Sequence, residues 1–146
     1  MRVRDLLQAK QRAVISTVPA IPVTKAMALM IDHQISCLPV LDEEGRLLGI
    51  ISDKDIFRQL HKDRHNIDLV TVGELMTTDV IVGVEEDEVS YMAGIMTKNR
   101  IRHIPILKGD QVVGLVSVGD IVKTQMSNIE IENRYLWQYI NGSYPG

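Results

Sequence analysis

Apolar residues in this chain follow two rhythms. Val23, Met27, Met30 and Ile31 recur at helical steps, and so do Val89, Met92, Ile95 and Met96, which predicts two helices with a buried face. Around them the apolar residues fall in short blocks at 37–41, 47–52, 103–107 and 111–117. These blocks have strand length. Each pair is split by a polar turn, Asp42-Glu43-Glu44-Gly45 in one case and Lys108-Gly109-Asp110 in the other. A helix is expected after each second strand. The order strand, helix, strand, strand, helix thus occurs twice, each time with a short helix leading in.

The two halves also match residue by residue. Ile35-Ser36-Cys37-Leu38-Pro39-Val40 corresponds to Ile101-Arg102-His103-Ile104-Pro105-Ile106. Gly49-Ile50-Ile51-Ser52-Asp53-Lys54-Asp55-Ile56 corresponds to Gly114-Leu115-Val116-Ser117-Val118-Gly119-Asp120-Ile121, and Val3-Arg4-Asp5-Leu6-Leu7 to Val72-Gly73-Glu74-Leu75-Met76. Three blocks in one order identify a tandem duplication. The units read as 1–60 (lead-in helix included) and 72–124, with a linker at 61–71 and a helical extension at 125–146. Repeats this small bury a helix face poorly alone, so the two are expected to pack together about a pseudo-twofold axis. The fold class is α/β (α+β).

Composition then removes whole function classes. With 45% hydrophobic and 24% charged residues the chain is globular, not disordered. Aromatic residues make up only 4%, which leaves no platform for stacking single-stranded bases. A net charge of −3 provides no basic field, so no nucleic-acid partner is expected. The longest uncharged run, Ala13 to Thr24, is short for a bilayer and carries Pro19 and Pro22, so no membrane association is expected either. The single cysteine, Cys37, suits a reducing, cytoplasmic setting as a small buried thiol.

Candidate chemistry sits where strand gives way to helix. Ser52 with Asp55, and Ser117 with Asp120, have the spacing of a capping box. The same geometry offers free amides and partial positive charge to a phosphate, and an aspartate suited to ribose hydroxyls. Taken on the residues alone, both readings stay open. Arg102-His103 replaces Ser36-Cys37 in the second unit, where arginine supplies a fork for phosphate and histidine a titratable donor. Gly49 and Gly114 are expected to leave room for a ligand. The run Glu85-Glu86-Asp87-Glu88 reads as a solvated helix start. His61 and His65 lack a third ligand, so no metal site is expected. No nucleophile, base and orienting group can be assembled, which argues against catalysis.

On the doubled h-x-x-h-P blocks ending at Pro39 and Pro105, and the doubled G-h-h-S-x-x-D blocks, the chain closely resembles the CBS (cystathionine-β-synthase) domain family, paired as a Bateman module. The resemblance runs from about Val3 to Lys123 and is closest to small stand-alone bacterial CBS-pair proteins. It implies regulation rather than catalysis, through an adenine ligand between the repeats: AMP first, with ADP, ATP, NAD(H) or S-adenosylmethionine also in view. It implies that Thr17, Ala20, Ile35, Ser36, Cys37, Leu38 and Pro39 hold adenine while Arg102, His103, Ser117 and Asp120 hold phosphate and ribose. The reciprocal site would pair Val84, Ile101, Arg102, His103, Ile104 and Pro105 with Ser52 and Asp55. Its own phosphate side lacks a basic pair, so it is expected to be weaker or to take a ligand with less phosphate charge. A homodimer acting on a regulated protein partner is implied as well. The other reading is a constitutive dimeric scaffold with vestigial pockets.

The C-terminal segment adds a heptad-like seam of Val122, Met126, Ile129, Asn133, Leu136 and Ile140, flanked by Tyr135, Trp137 and Tyr139. Such a helix either lies on its own module or packs against a dimer mate.

Overall fold

The computed structural model describes residues 1–142, with the side chains of 127–131 outside that description. In chain order the elements are α1 (Val3–Lys10), α2 (Val23–His33), β1 (Cys37–Leu41), β2 (Leu47–Ser52) and α3 (Asp53–Lys62), followed by a 3-10 turn (Ile67–Leu69). They continue with α4 (Val72–Leu75), β3 (Gly83–Val84), α5 (Val89–Asn99), β4 (His103–Lys108), β5 (Gln111–Ser117) and α6 (Val118–Ile140). The mixed α/β architecture, duplicated, is the one the apolar rhythm predicts. The opening strand differs between halves. The strand opening the second repeat, β3, pairs parallel to β4, whereas in the first repeat it shrinks to a single bridge between Thr17 and Val40.

Register is shared. Cys37 faces Ser52 and His103 faces Ser117, and each antiparallel pair carries an irregularity one step past its midpoint, at Val40/Leu41 and at Ile106/Leu107. Both preceding helices end in a left-handed residue, Gln34 at φ 54 and Arg100 at φ 55, which turns the chain sharply back into the strand. The strand ends, and the serines that follow, are thereby set in equivalent places.

Packing departs from the sequence units. Val3 and Leu6 of α1 belong to the core of the second repeat, with Val89, Met92, Met96, Ile104, Ile106, Val116 and Ile121. Val70 and Val72, from the segment read as linker and second unit, belong to the core of the first, with Val23, Ala26, Met30, Leu38, Val40, Ile51 and Ile56. Each lead-in helix therefore crosses over. Backbone bonds hold the crossings: Val3 N to Asp87 O at 2.8 Å, and Val72 N to Ile21 O at 3.0 Å. The acidic run is part of this seat, since Arg4 pairs with Glu86 at 3.1 Å and Arg2 donates to the Glu86 carbonyl at 2.7 Å.

The crossover also accounts for the two glycines, and Gly114 lines a cavity as well. A Cβ on Gly49 would stand 2.5 Å from the Thr77 carbonyl oxygen, and one on Gly114 would stand 2.6 Å from Cδ2 of Leu7. Each glycine admits the lead-in segment of the opposite repeat.

Helix α6 leaves its module. Among the described members of its seam, Val122, Met126, Asn133, Leu136 and Ile140 are exposed, and so are Tyr135, Trp137 and Tyr139. Ile129 lies outside the described side chains. The helix does not lie flat on its own module along this seam.

Candidate functional site between the repeats

The capping boxes predicted from sequence are both formed. Ser52 Oγ accepts from Asp55 N at 3.4 Å while Asp55 Oδ2 accepts from Ser52 N at 2.9 Å. Ser117 Oγ accepts from Asp120 N at 3.1 Å while Asp120 Oδ2 accepts from Ser117 N at 2.9 Å. Each box fixes a carboxylate at a helix start. The two then diverge. Asp55 Oδ1 is approached by Thr77 Oγ1 at 3.4 Å and by Arg58 at 3.6 Å. Asp120 Oδ2 instead takes Lys10 Nζ at 2.8 Å, and among the described residues no donor reaches its Oδ1.

A cavity of about 510 Å³ opens beside Asp120, within the range of ordinary small-molecule sites. It brings Ile35, Ser36 and Cys37 of the first repeat together with Arg102, His103, Ser117 and Asp120 of the second. The sequence did not single out Lys10, Arg12, Leu115 and Gly119, which line it too. An adjoining cavity of about 320 Å³ has an apolar wall of Ala13, Val14, Ile15, Ile35 and Leu115 and shares Lys10 and Arg12 with the first. Thr17 and Ala20 are not among the residues lining these cavities. Thr17 is buried in the backbone pairing with Pro39 and Leu41, its hydroxyl without a hydrogen-bond partner, and Ala20 is exposed. Leu38, Pro39, Ile104 and Pro105 are fully buried core, so only the strands that carry them reach the site.

The reciprocal cavity is smaller, about 150 Å³, and combines Ser52 and Asp55 with Ile101, Arg102 and His103. Val84 is exposed and does not line it. It is richer in cations than the sequence suggested, because Lys54, Arg58 and Arg100 border it. Its smaller volume, not a lack of charge, sets it apart.

The repeats are latched across their boundary. Arg102 pairs with Asp53 at 2.8 Å, and Ser36 Oγ meets His103 Nε2 at 3.2 Å. Burial, with the Arg102 charge beside it, pushes the His103 imidazole down to about 4, so it is neutral near pH 7. The histidine read from sequence as a titratable donor is therefore a neutral one near pH 7. At the equivalent position burial pushes the Cys37 thiol up to about 12, which keeps it protonated. Burial tends to raise the Asp120 pKa, but Lys10 and the Ser117 amide outweigh it and hold the carboxyl below its usual range.

Comparison with known proteins agrees with this architecture. The family model for the CBS domain matches residues 3–62 and 72–127. The mitochondrial CBS domain-containing protein CBSX3 of Arabidopsis thaliana is 33% identical over 123 residues, covering 82% of this chain and 60% of that protein. A solved CBS-domain protein from Agrobacterium tumefaciens, ATU1752, superposes with a TM-score of 0.82 at 28% identity, over 86% of this chain and 99% of that one. The CBS-domain pair of protein MJ0100, solved with 5′-methylthioadenosine and S-adenosyl-L-methionine, gives 0.79 at 31% identity over 88% and 98% of the two chains. Two matched repeats, the doubled capping boxes and these likenesses lead to one statement: the chain belongs to the CBS domain family, as a pair of CBS repeats.

Proposed function

We propose that this chain is a regulatory module that senses an adenine nucleotide, AMP foremost, in the larger cavity between the repeats. The observation carrying the reading is the convergence on one cavity of a capped helix start, a fixed carboxylate and a basic residue from the second repeat, facing a backbone edge and apolar wall from the first. Ribose hydroxyls would meet Asp120 Oδ1, the base would enter the recess between Ile15, Ile35 and Leu115, and phosphate would lie toward Arg102 and the Ser117 helix start. That the MJ0100 pair holds adenosine derivatives supports the ligand class. The module would act without chemistry of its own, by changing how the repeats present themselves to a protein partner. The apolar residues that α6 leaves exposed favour a homodimer.

Thermal melting of the full chain with AMP, ADP, ATP, NAD(H) and S-adenosylmethionine tests the reading. A ligand that binds the folded state alone must raise the melting temperature, so a rise with AMP is expected. No rise with any of the five would favour the scaffold with vestigial pockets.

A further inference from the structure

The cation nearest the proposed ribose position comes from neither capping box. Lys10 is the last residue of α1, and its ammonium is fixed by two bonds, to the Leu115 carbonyl and to Asp120 Oδ2, each 2.8 Å. Val3 and Leu6, buried in the second repeat, hold the helix that delivers it. Its side chain is only 24% exposed, so its charge is screened less than that of a surface lysine. Arg12 stands on the same wall, its guanidinium directed at the His33 carbonyl at 3.5 Å. Arg102 forms the opposite side. A third hollow of about 500 Å³ continues past Asp120, lined by Lys10, Arg12, Asp120 and Lys123. In the whole of this connected space, among the described residues, the lining carboxylate is Asp120, and Lys10 already neutralises it. A chain of net charge −3 has thus gathered cations at one cavity.

Charge of one sign in a partly enclosed space selects the ligand by its own charge. We infer that Lys10 makes this cavity charge-selective: it favours adenine ligands that carry phosphate and rejects those that carry a sulfonium or no charge. The inference rests on the nucleotide-sensing reading and adds to it a residue and a direction of preference. A phosphate beside Asp120 gains the Lys10 ammonium as a charge-assisted donor, while Asp120 Oδ1 stays open for ribose. A sulfonium in the same place meets Arg12 and two ion pairs, Lys10–Asp120 and Arg102–Asp53, whose carboxylates are already engaged. In the reciprocal cavity Thr77 stands where this one has Lys10, and the cations there, Lys54, Arg58 and Arg100, border a space of only about 150 Å³.

Isothermal titration of the full chain with AMP, adenosine and S-adenosylmethionine, on wild type, Lys10→Met and Lys10→Arg, tests the inference. Wild type is expected to bind AMP about tenfold or more tighter than adenosine, with S-adenosylmethionine weakest. Lys10→Met should lose most of that AMP-to-adenosine ratio while adenosine affinity stays within about twofold, and Lys10→Arg should keep the ratio. A ratio unchanged in Lys10→Met, or AMP and adenosine weakened alike, overturns the role of Lys10 and leaves the nucleotide reading standing. Wild type that binds none of the three overturns both.

Discussion

Asp55 and Asp120 occupy the same place in two copies of one motif, yet they do different work. Around Asp55 the carboxylate is closed in by Thr77 and Arg58, beside a space of about 150 Å³. Around Asp120 one oxygen is held by Lys10 and the space is about 510 Å³. The cause lies upstream of either motif. Helix α1 has eight residues and α4 has four, so only α1 reaches far enough to place a lysine on the opposite repeat's carboxylate. Duplication supplied two sites, and the length of a lead-in helix made them unequal.

The comparison breaks most visibly at α1. Leu6→Ala should destabilise the chain by about 3 kcal/mol in urea unfolding, because Leu6 is a buried member of the second core. Hydrogen exchange should then quicken in β4 and β5 before β1 and β2. Faster exchange confined to the first repeat would mean that α1 does not cross over. The glycines give a paired test. Gly49→Ala pushes a methyl onto a backbone carbonyl that cannot step aside and should cost about 3 kcal/mol, whereas Gly114→Ala meets the flexible end of Leu7 and should cost about 1 kcal/mol. Equal costs would show that the two crossings are equally tight.

At the sites themselves, Asp120→Ala should weaken AMP binding by about thirtyfold in calorimetry, while Asp55→Ala changes it by about twofold or less. The reverse order would move the ligand to the smaller cavity. The site also sets a pH dependence. His103 has a folded value of about 4 against 6.5 unfolded, so between those values only the unfolded chain takes up the proton. Stability should fall by about 2–3 kcal/mol as pH drops from 6.5 to 4, and His103→Gln should remove that loss. Its counterpart Cys37 works at the other end: with a thiol value of about 12 against 9.0, stability falls as pH rises above 9. A melting curve flat on the acid side in the wild type would place His103 in water rather than between the repeats.

Most of the fold was legible because its signals are local. The stripes of Val23, Met30, Val89, Met92 and Met96 became buried helix faces, and the blocks ending at Ser52 and Ser117 became strands capped by their own serines. The convergence of Ile35, Ser36 and Cys37 on Arg102, His103 and Asp120 was implied by the family resemblance that the paired motifs carry. What stayed hidden was long-range. Nothing local to Val3 or Leu6 says which core they enter, and Lys10 and Arg12 look like any charges at a helix end. One trace did exist. Leu7 lies three residues farther from Ile35 than Met76 lies from Ile101, and that surplus is most of a helical turn. Thr17 and Ala20 were placed by analogy of position, and the chain passes the cavity two residues earlier, at Ile15.

The crossed lead-in helices have a consequence for how the chain is made. The first core closes soon after Val70 and Val72 leave the ribosome, but α1 must wait for Ile104 through Ile121 before it has anywhere to bury Val3 and Leu6. Helix α1, made before the rest of both cores, is the last to find its place, across a long loop. Cutting the chain at its middle would leave each fragment short of part of its own core, and the two would fold on being mixed.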